Sequence, residues 1–216
     1  MDQTPSGTDS PLQTPRRRRP RFSRVTQSIA LQLTDRDVEI VRHVASHRFL
    51  RSSHLSTLLR ASHQKISERL TALFHAGFLD RPRSQLQYHV RGGGSEYYVY
   101  ALGTRGAHLL RECGASLSCT IDWTRKNRDA THQFLQHTLA VADVRVALAV
   151  ACRERPGVVL RSAEDLLGDL PAQTRAARRP WSWRVSLQSD GGAHQLGVIP
   201  DYVFAIMLPE SCCATV

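Results

Sequence analysis

The chain has 216 residues, a formal net charge of +10 at pH 7 and hydrophobic residues at 41% of its positions. That length can bury a sizeable core, and no uninterrupted apolar stretch approaches the roughly 18 residues that a membrane span requires. The first residues are polar and lack the apolar stretch of a secretion signal, so we expect a soluble, cytoplasmic protein without a membrane partner. Five cysteines without a Cys-x-x-Cys pair argue against a disulfide scaffold or a zinc site, and we expect neither metal nor cofactor.

Positive charge is concentrated in the first half of the chain. Residues 1–33 carry six basic residues and two acids (+4), and residues 34–112 carry twelve and seven (+5). The remainder carries eleven and ten (+1). A surface that binds phosphate concentrates charge in this way, so the distribution favours nucleic acid as the partner.

Residues 1–32 are predicted to form a disordered basic arm. They are rich in Pro, Ser and Thr and offer almost nothing to bury. Four consecutive arginines stand in this arm: Arg16, Arg17, Arg18 and Arg19. The run is either a solvated tail or a segment that lies along a DNA backbone or groove.

Three helices are predicted next. Thr34 and the acids after it form a helix start, and one apolar face continues this first helix to about residue 47. Ser52 precedes a short second helix. Ser62 can cap a third helix, and Gly77 is placed to end it. The apolar residues of the third helix recur at helical spacing: Ile66, Leu70, Leu73 and Phe74.

A β-hairpin is predicted after the third helix. Residues 85–90 alternate polar with apolar side chains, residues 97–102 return as a second strand, and glycines between them supply a flexible tip. A further helix begins at Thr104. Three helices followed by a hairpin are the organisation of a winged helix-turn-helix domain, which we place at residues 33–115.

The third helix of such a domain has the size to enter the major groove of DNA, which is about 12 Å wide. Its outward side chains and the neighbouring arginines carry the donors and acceptors that bases and phosphates need. The predicted DNA-binding residues, besides the four arginines of the arm, are Arg51, Ser62, His63, Gln64, Lys65, Ser67, Glu68, Arg69, Arg81, Arg83 and Arg91. The alternative is an ordinary solvated face. We interpret His43 and His47, four residues apart, as solvent or groove-edge histidines rather than metal ligands.

A smaller α/β domain is predicted over residues 128–210. Its long apolar helix, residues 131–152, is either a dimer surface or packs against the protein's own second domain. A loop is expected at residues 168–180, and strands are expected at 158–160, 183–187 and 198–207.

Two acids of this domain resemble the start of a restriction-endonuclease-like core. Glu164 lies in a helical context, and Asp201 follows Pro200 on a predicted strand. Such nucleases hold Mg²⁺ with an Asp and a Glu and use a nearby Lys, whereas this chain has no Lys beyond Lys126. We therefore interpret the restriction-endonuclease-like core as incomplete, with a C-terminal end that is truncated or altered. We expect a protein that is not an enzyme.

Several strings resemble one protein family. They occur at residues 33–37, 48–51, 69–81, 98–102, 137–144 and 200–201. Their order and spacing over about residues 33–205 are similar to the replication-relaxation family, found on plasmids, integrative elements and chromosomes of Gram-positive bacteria, notably actinobacteria. The resemblance implies a winged-helix DNA binder linked to plasmid replication, or to relaxation of plasmid DNA for transfer.

The sequence therefore predicts a protein that binds double-stranded DNA as an accessory or regulator of plasmid replication or mobilisation. A homodimer is one expected assembly, and replication or relaxase proteins are further expected partners. Three alternatives stay open: a metal-dependent nuclease targeted by the winged helix, a transcriptional regulator, and a module that binds other proteins.

Overall fold

The computed structural model describes residues 21–24, 31–86, 97–115, 117, 121–189 and 192–209. These residues form a mixed α+β protein, as predicted. The helices are α1 (Asp35–His47), α2 (Ser52–Leu58), α3 (His63–His75), α4 (Thr104–Glu112), α5 (Trp123–Arg128), α6 (His132–Arg153), α7 (Ala163–Leu167) and α8 (Ala172–Ala176), with a 3₁₀ turn at Arg83–Gln85. The strands are β1 (Phe49–Arg51), β2 (Leu79–Asp80), β3 (Val99–Leu102), β4 (Val159–Ser162), β5 (Trp183–Ser189), β6 (Gly192–Val198) and β7 (Phe204–Met207).

The first three helices pack around one apolar core. The apolar face predicted for α3 is buried, and it meets buried residues of α1 and α2. At the start of α1, the backbone N–H and the hydroxyl of Thr34 donate to Asp37 Oδ2 at 2.7 and 2.8 Å. The oxygen of Ser62 accepts from the backbone N–H of Lys65 at 3.4 Å. Both predicted helix starts are therefore confirmed.

A three-stranded antiparallel sheet adjoins these helices, with β3 between β1 and β2. Most of the expected strand at residues 85–90 falls in residues 87–96, which lie outside the described residues. The expected strand is not formed in its described part, because residues 83–85 form the 3₁₀ turn. The cause is the buried side chain of Gln85. Its amide donates to the carbonyl of Val99 at 3.0 Å and accepts from the N–H of Val99 at 2.9 Å, in place of a backbone ladder.

Helix α4 approaches the turn between α3 and β2 very closely. A Cβ on Gly106 would lie 2.2 Å from the carbonyl oxygen of Phe78, and one on Gly103 would lie 2.5 Å from that of Gly77. Glycine at both positions lets the backbone of α4 contact this turn directly.

The long helix α6 packs against the first half of the chain as well as against β4, whereas the expected alternative to a dimer surface was packing against the second domain. Leu135 and Leu139 are buried with Phe49 of β1 and with residues of β3, and further residues of α6 contact α2. By length and apolar composition α6 could cross a membrane, yet this face of it belongs to the core of the first 115 residues.

The remaining strands form two separate antiparallel pairs, β4 with β7 and β5 with β6. The strand expected at residues 198–207 is instead the end of β6 and all of β7, separated by residues 199–203. The loop expected at residues 168–180 contains α8. The β5–β6 hairpin leaves its apolar side chains exposed, including Trp183 and Leu196.

Candidate nucleic-acid interface

One face of α3 is polar and open to solvent. Gln64, Lys65 and Glu68 are exposed on it, while the opposite face is buried against α2 and β2. Gln64 Nε2 donates to Glu68 Oε1 at 3.2 Å. The ammonium group of Lys65 makes no hydrogen bond or ion pair within the described chain, so it is a free cation at the first turn of the helix.

His63 lies beside this polar face and contacts three neighbouring side chains. Its Nε2 lies 3.3 Å from the hydroxyl of Ser52 and 3.4 Å from that of Ser67, and its ring packs edge-on against Tyr97 at 4.7 Å between centroids. Tyr97 is half-exposed and leads into β3. The contact therefore brings the start of α3 next to the chain that enters the sheet.

Arg69 has a structural partner that the sequence reasoning missed. Its Nε donates to Asp37 Oδ1 at 2.6 Å, its Nη2 donates to Asp37 Oδ2, and Nη2 also donates to the carbonyl of Gln32 at 2.7 Å. The Asp37 side chain is fully buried. Burial alone would raise the pKa of Asp37, but hydrogen bonds from Arg69 and Thr34 hold it below its ordinary value. Arg69 thus ties α3 to the start of α1.

Arg81 is buried in an aromatic setting. Only 5% of it is exposed, and its guanidinium lies 4.5 Å from the ring centroids of Phe74 and Tyr98. Nη2 donates to Tyr100 Oη at 2.8 Å, and Nη1 donates to the carbonyl of Arg21 at 2.7 Å. These contacts place Arg81 inside the fold, whereas Arg83, two residues later, is exposed.

Arg51 joins the first helices to α6. Arg51 Nη1 and His54 Nε2 both lie 2.6 Å from Asp143 Oδ1. Burial lowers the pKa of His54, although the carboxylate of Asp143 acts in the opposite direction. This cluster connects β1 and α2 to α6.

The structure thus leaves Arg83 exposed on the 3₁₀ turn and divides the other predicted site residues into three groups. Gln64, Lys65 and Glu68 share one open face, with Ser62, His63 and Ser67 beside them. The second group makes contacts inside the protein: Arg51, Arg69 and Arg81. Arg91 and the run Arg16, Arg17, Arg18 and Arg19 lie outside the described residues. No signal in the sequence gave the long-range partners Asp37 and Asp143, which only the fold brings close.

The two histidines of α1 interact with each other. His47 Nδ1 lies 2.9 Å from the carbonyl of His43. Burial, followed by the charge of Arg145, lowers the pKa of His47 to about 4. No group of three His, Cys, Asp or Glu residues that could hold a metal occurs in the described parts of the chain.

A pocket of about 540 Å³ in the C-terminal half brings together the two acids that the sequence singled out. Glu164 and Asp201 both line it, with Arg145 and Tyr202. The guanidinium of Arg145 lies 4.6 Å from the ring of Tyr202. Asp201 Oδ1 is 2.9 Å from Nε2 of His137, so one of the acids already has a partner.

Comparison with known proteins gives one match. A family model described as replication-relaxation matches residues 41–210, from within α1 to just beyond β7. No curated protein and no solved structure matches the chain.

Proposed function

The chain belongs to the replication-relaxation family, and from that premise we propose that it binds double-stranded DNA in plasmid replication or in relaxation of plasmid DNA for transfer. Its role there is that of an accessory or regulatory protein rather than an enzyme. The observation that carries the proposal is the open polar face of α3, with the free ammonium group of Lys65 on its first turn.

The arrangement around α3 is compatible with a winged helix-turn-helix. Three helices are followed by a small antiparallel sheet, and we assign the wing to the chain between β2 and β3, of which residues 81–86 and 97–98 are described. In such domains the first residues of the third helix reach base edges in the major groove. Here those residues are His63, Gln64 and Lys65, which carry ring nitrogens, an amide and an ammonium group.

Internal contacts of the neighbouring arginines support a rigid reader helix. Arg69 anchors the middle of α3 to α1, and Arg81 donates to the hydroxyl of Thr71 at 2.9 Å near its end. These two residues therefore hold α3 in place, and we assign direct contact with DNA to Gln64, Lys65 and Glu68. A fixed helix presents base-reading groups without an ordering cost at binding.

The proposal also includes partners. Winged-helix proteins usually act as dimers on two half-sites, so a second copy of this chain is one expected partner in the cytoplasm. Exposed Val144 on α6 and the exposed apolar face of the β5–β6 hairpin leave surface for a second copy, or for a replication or relaxase protein.

The test uses the only two lysines of the chain, Lys65 and Lys126. Fluorescence anisotropy with labelled duplexes from a plasmid that carries this gene, at several salt concentrations, measures affinity. We expect the affinity of the wild type to fall steeply with salt, because phosphate neutralisation releases counterions. K65A should lower affinity about tenfold.

K126A is the matched control, because it removes the same charge from the exposed surface of α5, away from α3. It should bind within about twofold of the wild type. Failure of the wild type to bind any duplex, or wild-type affinity in K65A, would contradict the proposal.

A metal-dependent nuclease is the second candidate, because Glu164 and Asp201 line the same pocket. Two carboxylates are the minimum that such an enzyme would use to hold Mg²⁺. Incubating supercoiled plasmid with Mg²⁺ or Mn²⁺ separates the candidates. Nicking by the wild type that is lost in D201N would replace the first proposal with the second.

A further inference from the structure

A second pocket lies between the turn after β2 and helix α5. Its cavity volume is about 130 Å³. Its walls come from three parts of the chain that the sequence did not connect. The lining residues are Phe22, Asp80, Arg81, Pro82, Arg83, Thr124, Asn127 and Arg128.

The pocket has an excess of positive charge. Three arginines and one aspartate line it, which leaves a formal charge of +2. The carboxylate of Asp80 is already satisfied by protein donors. It accepts from Asn127 Nδ2 at 3.2 Å and from the backbone N–H of Arg81 at 2.9 Å, and Arg24 Nη2 lies 3.4 Å from it. A ligand would therefore meet the arginines rather than an unpaired acid.

Two of the three arginines have no partner among the described residues. Arg83 and Arg128 are exposed, and neither makes a hydrogen bond or ion pair with any part of the chain that the structure describes. Arg125, on the same helix as Arg128, differs from it because its Nε lies 3.5 Å from a carboxylate oxygen of Asp129. Arg83 and Arg128 thus bring two unpaired guanidinium groups to one opening.

Arg81 forms a fixed wall of the same pocket. It is 5% exposed, and its Nε–H donates to no described residue although the atom is buried. Phe22 forms another wall, held edge-on against Tyr98 at 5.9 Å between ring centroids. Unlike most clusters of exposed arginines, this one has rigid surroundings.

We propose that this pocket holds one phosphate group of the DNA backbone, outside the stretch that α3 contacts. Guanidinium groups bind phosphate oxygens through paired N–H donors, and the hydroxyl of Thr124 adds a further donor at the rim. A contact of this kind fixes the orientation of a protein on DNA without reading sequence. The inference rests on the proposed function and adds a second contact region to it, with Arg128 and Thr124 as new residues.

The test is the double variant R83Q/R128Q, measured with the same duplexes across a salt series. Loss of one clamped phosphate should reduce the slope of log affinity against log salt by about one unit and weaken binding about tenfold. The effect should be equal on specific and random duplexes, since a phosphate contact carries no sequence information. The melting temperature should stay unchanged, because both side chains are exposed.

R155Q/R178Q is the matched control, with two charges removed from exposed arginines that do not line the pocket and whose side chains have no partner among the described residues. Its salt slope should be that of the wild type. An unchanged slope in R83Q/R128Q, while the wild type binds and K65A weakens binding, would overturn the pocket inference and leave the proposed function standing. A wild type that binds no duplex would overturn both.

Free inorganic phosphate is the other ligand that offers the pocket the same phosphate oxygens as the DNA backbone. Inorganic phosphate, added at constant ionic strength without DNA, would raise the melting temperature of the wild type but not of R83Q/R128Q if the pocket bound it. That result together with unchanged DNA binding in R83Q/R128Q would overturn the assignment to the DNA backbone.

Discussion

Replacing Arg69 by alanine should destabilise the protein, although the sequence alone suggested a DNA-contacting role for this residue. Arg69 makes two hydrogen bonds to Asp37, whose side chain has no exposed surface, and a third to the carbonyl of Gln32. In R69A the carboxylate of Asp37 would keep only its bonds from Thr34 and would remain buried.

The size of the effect follows from the loss of one partner of a buried pair. Such losses cost roughly 3–5 kcal/mol when both groups are enclosed. The side chain of Arg69 is 31% exposed, and solvent weakens the pair to that extent. We therefore expect R69A to lower the free energy of unfolding by about 3 kcal/mol.

Urea denaturation followed by circular dichroism measures this loss, with K65A as a control that should change stability by less than about 0.5 kcal/mol. The pH dependence gives a second signature. The pKa of Asp37 lies below its ordinary value in the folded state, so its contribution is complete above about pH 4 and is lost as the pH falls through the lowered pKa. D37N should remove this acid-dependent part.

A loss of less than about 1 kcal/mol in R69A would refute the structural role that we assign to Arg69. Weaker DNA binding by R69A at an unchanged free energy of unfolding would also refute this structural role, because it would mean that the guanidinium of Arg69 contacts DNA.

Two further predictions concern α6 and α1. L139A should lower the free energy of unfolding, measured by urea denaturation, by about 3 kcal/mol, because Leu139 is buried against the first half of the chain. Q136A, at an exposed position of the same helix, should have little effect. Equal free energies of unfolding for the two variants would mean that α6 is not part of this core. Stability should fall between pH 6.5 and about 4, because the unfolded chain takes up a proton at His47 that burial and Arg145 keep off the folded state. H47Q should reduce the fall of stability in this range, to which the lowered pKa values of His43 and His54 also contribute, while H108Q at an exposed histidine should leave it unchanged.

Local patterns predicted α1, α2, α3, α4 and α6 correctly, but they did not predict α5 or α8. The capping residues Thr34 and Ser62 and the helical spacing of apolar residues in α3 depend on neighbours within about four positions, so they are visible in the sequence. The exposed polar face of α3 follows from the same spacing. The hairpin was not predicted correctly, because the alternation of polar and apolar residues after residue 84 resembles a strand. In the structure, hydrogen bonds between the side chain of Gln85 and the backbone of Val99 replace the backbone hydrogen bonds of a strand pair.

The sequence by itself determined the family, the position and polar face of α3, and the excess of positive charge in the first half of the chain. Only the tertiary structure decided which arginines are free. The sequence does not distinguish Arg69 and Arg81 from Arg83. In the structure, Arg69 donates to Asp37. Arg81 packs against the rings of Phe74 and Tyr98. The physical reason is that a charge is paired or free according to neighbours tens of residues away, which no local pattern encodes.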